Sequence, residues 1–158
     1  MKLIEYIEEV KIKKLKIVDL TKYELEEIPN EIFEFDWIEK LILGNFYNNY
    51  AREIEGSSPC KLNELPEELT RLKNLKSLSI SGGLFLKPKP AYRNFDLLGK
   101  LVSLEELYMD STHLNNLQFL KSLTKLKRLQ IGYTEIVDYS DLKNYNQLIS
   151  LSIGVNRI

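Results

Sequence analysis

The chain has 158 residues, with 22 Lys+Arg against 23 Asp+Glu and a formal net charge of −1. That length is one domain, or a piece of a longer protein, and the charge balance lacks the basic excess of a nucleic-acid-binding surface. Leu and Ile supply 43 residues while Ala supplies two, an unfavourable composition for a helical bundle. The first segment, Lys2 to Lys13, places Leu3, Ile4, Ile7 and Val10 at helical spacing and predicts a short amphipathic helix. Glu5, Glu8 and Glu9 interrupt any signal-peptide apolar region, and no apolar run reaches the ~18 residues of a membrane span. A lone cysteine, Cys60, cannot close an internal disulfide. These features predict a cytoplasmic chain that does not engage a membrane.

From residue 15 onward the apolar spacing is neither helical nor alternating. Leu114, Leu117, Leu120, Leu123, Leu126 and Leu129 recur in steps of three, which on an α-helix spreads them over about 300°. A longer period accounts for them. Leu104, Leu126 and Leu148 are 22 apart, as are Leu107, Leu129 and Leu151, and Met109, Ile131 and Ile153. Six copies of an L-x-x-L-x-L-x-x-(N/T)-x-L unit follow, beginning at Leu15, Ile38, Leu75, Leu104, Leu126 and Leu148. In each, residues such as Leu107 and Met109 point inward from a short strand, and Glu106, Tyr108 and Asp110 point outward. Leu117, Leu120 and Leu123 line a return segment behind it. Thr112, Thr134 and Asn156 occupy the ninth position of the last three copies, where a short polar side chain bonds a tight turn. Tyr23, Phe46 and Gly83 stand there in the first three. Pro29 and Pro66 mark turns or helix starts in the first two return segments.

This unit resembles the leucine-rich repeat over about residues 15–158. The stretch LKIVDLTKYELEEIPNEIFEFDWIEKLILGN, residues 15–45, is similar to the first repeats of arms in intracellular bacterial multidomain proteins, such as Roco-type proteins beside their GTPase domains. The resemblance implies an α/β solenoid: a horseshoe with a short parallel β-sheet on its concave face and an N-terminal helical cap over residues 1–14. No C-terminal cap is evident after Ile158, so an open edge is expected there, with possible self-association as its consequence. In such proteins the arm recognises a protein partner or holds an effector inactive, and the 22-residue copies resemble regulatory subunits that grip an enzyme.

The spacings between copies are 23, 37, 29, 22 and 22, so two copies carry insertions, near 47–60 and 84–91. Both leave the repeat at the same point and are expected on one edge, where solenoid insertions often line the binding face. Phe46, Phe85 and Tyr92 are expected to plug the irregular repeats, and Tyr47, Tyr50 and Arg93 to contact a partner. On the concave face the third and sixth copies are small and polar, with Ser77, Ser79, Ser81, Ser150 and Ser152. The fourth and fifth carry Glu106, Tyr108, Asp110, Arg128, Gln130 and Tyr133, of which the Tyr and Arg residues are types favoured as interface anchors. Glu106 and Arg128 either pair with each other across neighbouring strands or stand ready for a partner.

Nothing points to an enzyme. His113 is the only histidine and has no second ligand for a metal, Cys60 lies far from it, and adjacent acidic doublets such as Glu105-Glu106 do not share a face. Gly82-Gly83 lacks the G-x-x-x-x-G-K frame of a phosphate loop. The expected function is a protein-binding scaffold with no cofactor, no metal and no nucleic-acid partner; the alternatives are an assembly module or the regulatory arm of a larger signalling protein.

Overall fold

The computed structural model describes residues 1–44, 60–82 and 92–154. Phe46, Tyr47, Tyr50, Phe85 and most of both insertions lie outside these residues, as do 155–158. Within them each predicted copy opens with a short strand. The strands are β1 (Ile17–Asp19), β2 (Lys40–Gly44), β3 (Ser77–Ile80), β4 (Glu106–Tyr108), β5 (Arg128–Gln130) and β6 (Ser150–Ser152). They form one parallel six-stranded sheet in strict chain order, and the sheet does not close on itself. Equivalent repeat positions pair throughout: Leu41 with Leu78, Leu78 with Leu107, Leu107 with Leu129, and Leu129 with Leu151. One register shift occurs, between Ile42 and Gly44 of β2, immediately before the first insertion.

The fourth and sixth positions of the first five copies build the core. Val18, Leu20, Leu41, Leu43, Leu78, Ile80, Leu107, Met109, Leu129 and Ile131 are all buried. A three- to five-residue strand cannot cover such side chains by itself, so each is covered by the strands before and after it.

The return segments explain the steps of three. They are 3₁₀ turns at Asn30–Glu34, Glu67–Arg71, Phe95–Lys100, Gln118–Ser122 and Ser140–Asn144. In the fifth copy's approach, the Leu120 N–H donates to the Leu117 carbonyl, Leu123 to Leu120, and Leu126 to Leu123. A 3₁₀ helix has three residues per turn, so leucines three apart eclipse on one side. The spacing that spreads them around an α-helix gathers them here, and Leu117, Leu120, Leu123 and Leu126 are all buried. Pro29 and Pro66 each precede such a turn, where no N–H is needed. Ile32, Phe33, Leu69, Leu97, Leu98, Phe119 and Leu120 carry the apolar layer down the back of the sheet.

The helix α1 (Leu3–Lys13) lies over the first copy. Val10 is fully buried, with Leu3, Tyr6 and Ile7 packed on the same core. The Tyr6 hydroxyl accepts the Asp19 N–H of β1 at 3.1 Å, so the outer side of the first strand is tied to the helix.

Two polar ladders run across the solenoid. The second position alternates in charge: Lys16, Glu39, Lys76, Glu105, Lys127. Glu39 takes Lys16 at 2.5 Å and Lys76 at 2.9 Å, and Glu105 takes Lys127 at 2.6 Å. Hydrogen bonds from these lysines hold the Glu39 and Glu105 carboxyls below the ordinary carboxylate range. The seventh position carries the other ladder. The Asp110 N–H donates to Ser81 Oγ at 3.1 Å, and the Gly132 N–H donates to Asp110 Oδ1 at 2.6 Å. At the ninth position, Thr112 donates to the Met109 carbonyl and Thr134 to the Ile131 carbonyl, closing the turns as the sequence predicts.

Gly132 is required by this packing. A Cβ there would lie 2.9 Å from the Gly154 carbonyl oxygen and 3.0 Å from Asp110 Oδ1, whereas at Gly154 it would meet nothing among the described residues within 4 Å. Gly132→Ala is expected to lower stability by about 1–3 kcal/mol through overpacking, and Gly154→Ala to change it far less. Urea unfolding of both variants checks this; equal losses would contradict it.

Candidate functional site

The parallel register sorts outward side chains into two rows. The third-position row reads Ile17, Lys40, Ser77, Glu106, Arg128 and Ser150, and the fifth-position row reads Asp19, Ile42, Ser79, Tyr108, Gln130 and Ser152. The structure therefore brings Glu106, Tyr108, Arg128 and Gln130 together as one square on neighbouring strands, β4 and β5.

Within that square, Arg128 Nη1 donates to Glu106 Oε1 at 2.8 Å, and the Tyr108 hydroxyl donates to Glu106 Oε2 at 3.2 Å. Burial pushes the Glu106 carboxyl up, but hydrogen bonds from Arg128 and Tyr108 and the guanidinium charge outweigh it and hold the group below its usual value. Burial, then the Glu106 charge, pushes the Tyr108 hydroxyl up. Glu106 is thus an ionised hub that fixes two neighbours. Arg128 remains 52 % exposed, with guanidinium donors beyond the one bonded to Glu106.

The expectation that Ser77, Ser79, Ser81 and Asp110 face outward is corrected. Asp110 is 2 % exposed, and its fellow seventh-position residues Thr21 and Ser81 are buried too. The strand has ended there, and the side chain turns under to bond backbone N–H groups that the parallel ladder leaves over. Ser77 and Ser79 of β3 are likewise buried, at 6 % and 7 %, because small side chains sit between Lys40 and Ile42 on one flank and Glu106 and Tyr108 on the other. The Ser79 hydroxyl donates to the Gly44 carbonyl. The polar surface expected from the third copy is accordingly a notch.

Tyr133 is half-buried at the eighth position, with φ +57°, and its predecessor in the fourth copy, Ser111, has φ +54°. A bulky aromatic in the left-handed region is uncommon. It is held there by the Tyr133 N–H to Gly154 carbonyl bond at 3.0 Å, which repeats the Ser111 to Gly132 bond at 2.9 Å. Arg93 is exposed away from the square. It lines a cleft of about 430 Å³ with Glu26, Glu27 and Glu64 of the return side. Its neighbour Asn94 clips that region by bonding both the N–H and the carbonyl of Leu65, at 2.8 and 2.7 Å.

The side chains weighed for chemistry have structural partners. Cys60 is buried, donates toward the Leu20 carbonyl, and has its thiol pushed up by burial to about 11, far from a reactive thiolate. Tyr92 is buried against Phe95 and bonds the Ile80 carbonyl, the plugging role expected of it. His113 Nδ1 lies 2.6 Å from Glu135 Oε1 of the next copy. Among the described residues no three His, Cys, Asp or Glu side chains converge as for a metal, and no helix is long and apolar enough to cross a membrane.

Comparison with solved structures agrees with this architecture. Internalin C2 from Listeria monocytogenes superposes with a TM-score of 0.67 at 20 % identity, covering 90 % of this chain and 53 % of that one. The leucine-rich-repeat domain of APL1B gives 0.65 at 16 % identity, with 99 % and 42 % covered. The fold is the leucine-rich-repeat solenoid. A plant peptide hormone receptor, RGFR1, solved in complex with RGF2, also matches, at 0.56 and 20 % identity over 96 % of this chain and 26 % of that one. This repeat chain spans about half or less of the length of each. No family model and no curated protein matches its sequence.

Asp110 gives this solenoid a defined pH response. Burial raises its carboxyl from 3.8 to about 6, against the lowering effect of the Gly132 N–H, and Oδ2 has no hydrogen-bond partner. The fold therefore binds this proton more tightly than the unfolded chain does. The stability so contributed is present below the ordinary Asp value and lost as pH rises through about 6. Glu39, Glu105 and Glu106 act oppositely, contributing stability that is lost as pH falls, so the test is a difference. Relative to the parent, Asp110→Asn is expected to gain up to about 3 kcal/mol between pH 4 and 7. Denaturant unfolding across that range measures it, and a constant difference would contradict the assignment.

Proposed function

We propose that this chain is a protein-recognition scaffold that binds its partner through the concave face at β4 and β5. The observation that carries the reading is the Glu106–Arg128–Tyr108 cluster beside Gln130. Arg and Tyr anchors contribute most when their geometry is set before binding, because less side-chain freedom is lost on association. Here the cross-strand pair is the device that sets it, so pairing and recognition are not competing roles for Glu106 and Arg128. The notch at Ser77 and Ser79 beside the taller Tyr108 gives the face relief. Asp110 acts from below as a positioning residue for the β5 turn that presents Tyr133.

Tyr133 extends the contact surface along the strand ends, and Tyr47 and Tyr50 of the first insertion join it in this proposal. Arg93 on the return side is a second, separate contact. The plant peptide hormone receptor RGFR1, solved in complex with RGF2, supports the class of function. We assign a bacterial, cytoplasmic setting on the resemblance of residues 15–45 to intracellular repeat arms; the lone, buried Cys60 suits a reducing compartment. The role of a regulatory arm within a larger protein is a form of the same reading. No catalysis, cofactor or nucleic acid enters it.

The test is selection of binders to the folded chain from an unbiased peptide-display library, followed by affinity measurement on variants. Tyr108→Ala and Arg128→Ala are each expected to weaken the dominant binders by about 10-fold or more. Lys121→Ala, on the outer return segment, should leave affinity unchanged. Binders indifferent to both concave substitutions would overturn the proposal.

A further inference from the structure

The outward rows carry a second chemistry at β1 and β2. Ile17 of β1 is 58 % exposed and stands directly opposite Lys40 of β2, and Ile42 follows Lys40 on the same face. Neighbouring cations are matched: Lys16 and Lys76 by Glu39, Lys127 by Glu105, and Arg128 by Glu106. Lys40 is partly buried, yet it has no ion-pair partner among the described residues. The carboxylate of β1, Asp19, is engaged by Thr21, whose N–H and hydroxyl donate to Asp19 Oδ1 at 3.0 and 2.6 Å. Glu106, across β3, is held by Arg128 and Tyr108. A cation beside two isoleucines is thus left without a counter-charge.

We infer that the partner is an extended peptide segment that sets a carboxylate side chain on Lys40 and an adjoining apolar side chain on Ile17 and Ile42. The inference rests on the recognition role of the concave face and names the chemistry of the segment recognised there. Charge complementarity selects the acid, because Lys40 is the cation of this face that the described chain leaves unmatched. The isoleucines add to it: apolar contact excludes water, and the attraction between opposite charges grows as water is removed. The serine strand gives access. Ser77 and Ser79 lie between Lys40 and Ile42 on one side and Glu106 and Tyr108 on the other. A peptide backbone crossing β3 therefore meets no tall side chain as it passes from one cluster to the other.

Strand spacing sets the length of the segment. Adjacent strands lie about 4.8 Å apart, so Lys40 on β2 and Arg128 on β5, three intervals away, are separated by about 14 Å. An extended chain advances about 3.4 Å per residue and alternates its sides, so residues i and i+4 face the sheet at about that distance. The acid over Lys40 is therefore expected four residues from the side chain that meets Arg128.

Peptide display on the full chain, followed by calorimetric titration of the selected peptides, tests the inference. Peptides weakened by Tyr108→Ala and Arg128→Ala are expected to carry Asp or Glu next to an apolar residue. Lys40→Glu should weaken them by about 10-fold or more, and Lys40→Met by less, with circular dichroism unchanged. Replacing the peptide's acid by its amide should cost a similar factor on the parent and little further on Lys40→Met, a coupling that a folding defect does not produce. Peptides that need Tyr108 and Arg128 but ignore Lys40→Glu, or that carry Lys or Arg in place of the acid, would overturn this inference alone. Peptides indifferent to Tyr108→Ala and Arg128→Ala would overturn the recognition reading, and the inference with it.

Discussion

The constraint on which the molecule rests is that no single repeat can bury its own leucines. A strand of three to five residues followed by a 3₁₀ turn exposes Leu107 and Met109, or Leu129 and Ile131, unless another repeat stands against it. Stability is accordingly a sum of neighbour contacts along one dimension. The polar features serve the same stacking. The alternating ladder from Lys16 to Lys127 holds successive copies in register at solvent-facing positions, where each pair is weak alone and salt-sensitive. The buried ladder from Ser81 through Asp110 to Gly132 satisfies N–H groups at the strand ends, where an unmet donor would be costly.

The same geometry decides which residues are available for recognition. Positions four and six go inward, position seven turns under, and only positions three and five face out along the strand. Outward display along the strands is thereby confined to two rows, in which Glu106, Tyr108, Arg128 and Gln130 stand together at β4 and β5. Rigidity and display are coupled: the pair that stabilises neighbouring strands, Glu106 with Arg128, also orients Tyr108. The cost falls on Tyr133, held at positive φ so that the turn hydrogen bonds can repeat, and on Asp110, buried with one carboxylate oxygen lacking a partner.

Much of this is legible in the sequence because repetition reports register. Leu104, Leu126 and Leu148 at equal intervals place three strands side by side without further information, and the pairing of Leu107 with Leu129 and Leu151 follows. The cross-strand pair of Glu106 and Arg128 is visible for the same reason. The burial of Asp110 is not, since one residue past the strand the alternation ends and hydrogen bonding to Gly132 takes over. Nor is the notch at Ser77 and Ser79, whose depth depends on the size of flanking side chains 29 and 37 residues away. The steps of three at Leu117, Leu120 and Leu123 carry the 3₁₀ period openly, and the signal that finds it is their failure to form one face of an α-helix. The ladder from Lys16 to Lys127 is also readable once the copies are aligned, as alternating charge at one repeat position.

The claim that neighbour contacts hold the whole solenoid is tested most directly through Trp37, the single tryptophan, stacked on Phe35 at 5.0 Å in the second copy's approach. The measurement is urea unfolding of Leu107→Ala, followed both by Trp37 fluorescence and by circular dichroism. A cavity at β4, two strands away from β2, is expected to lower both midpoints together, because each repeat depends on the next. A Trp37 transition left at its parent midpoint while the circular dichroism loses a separate early phase would contradict it.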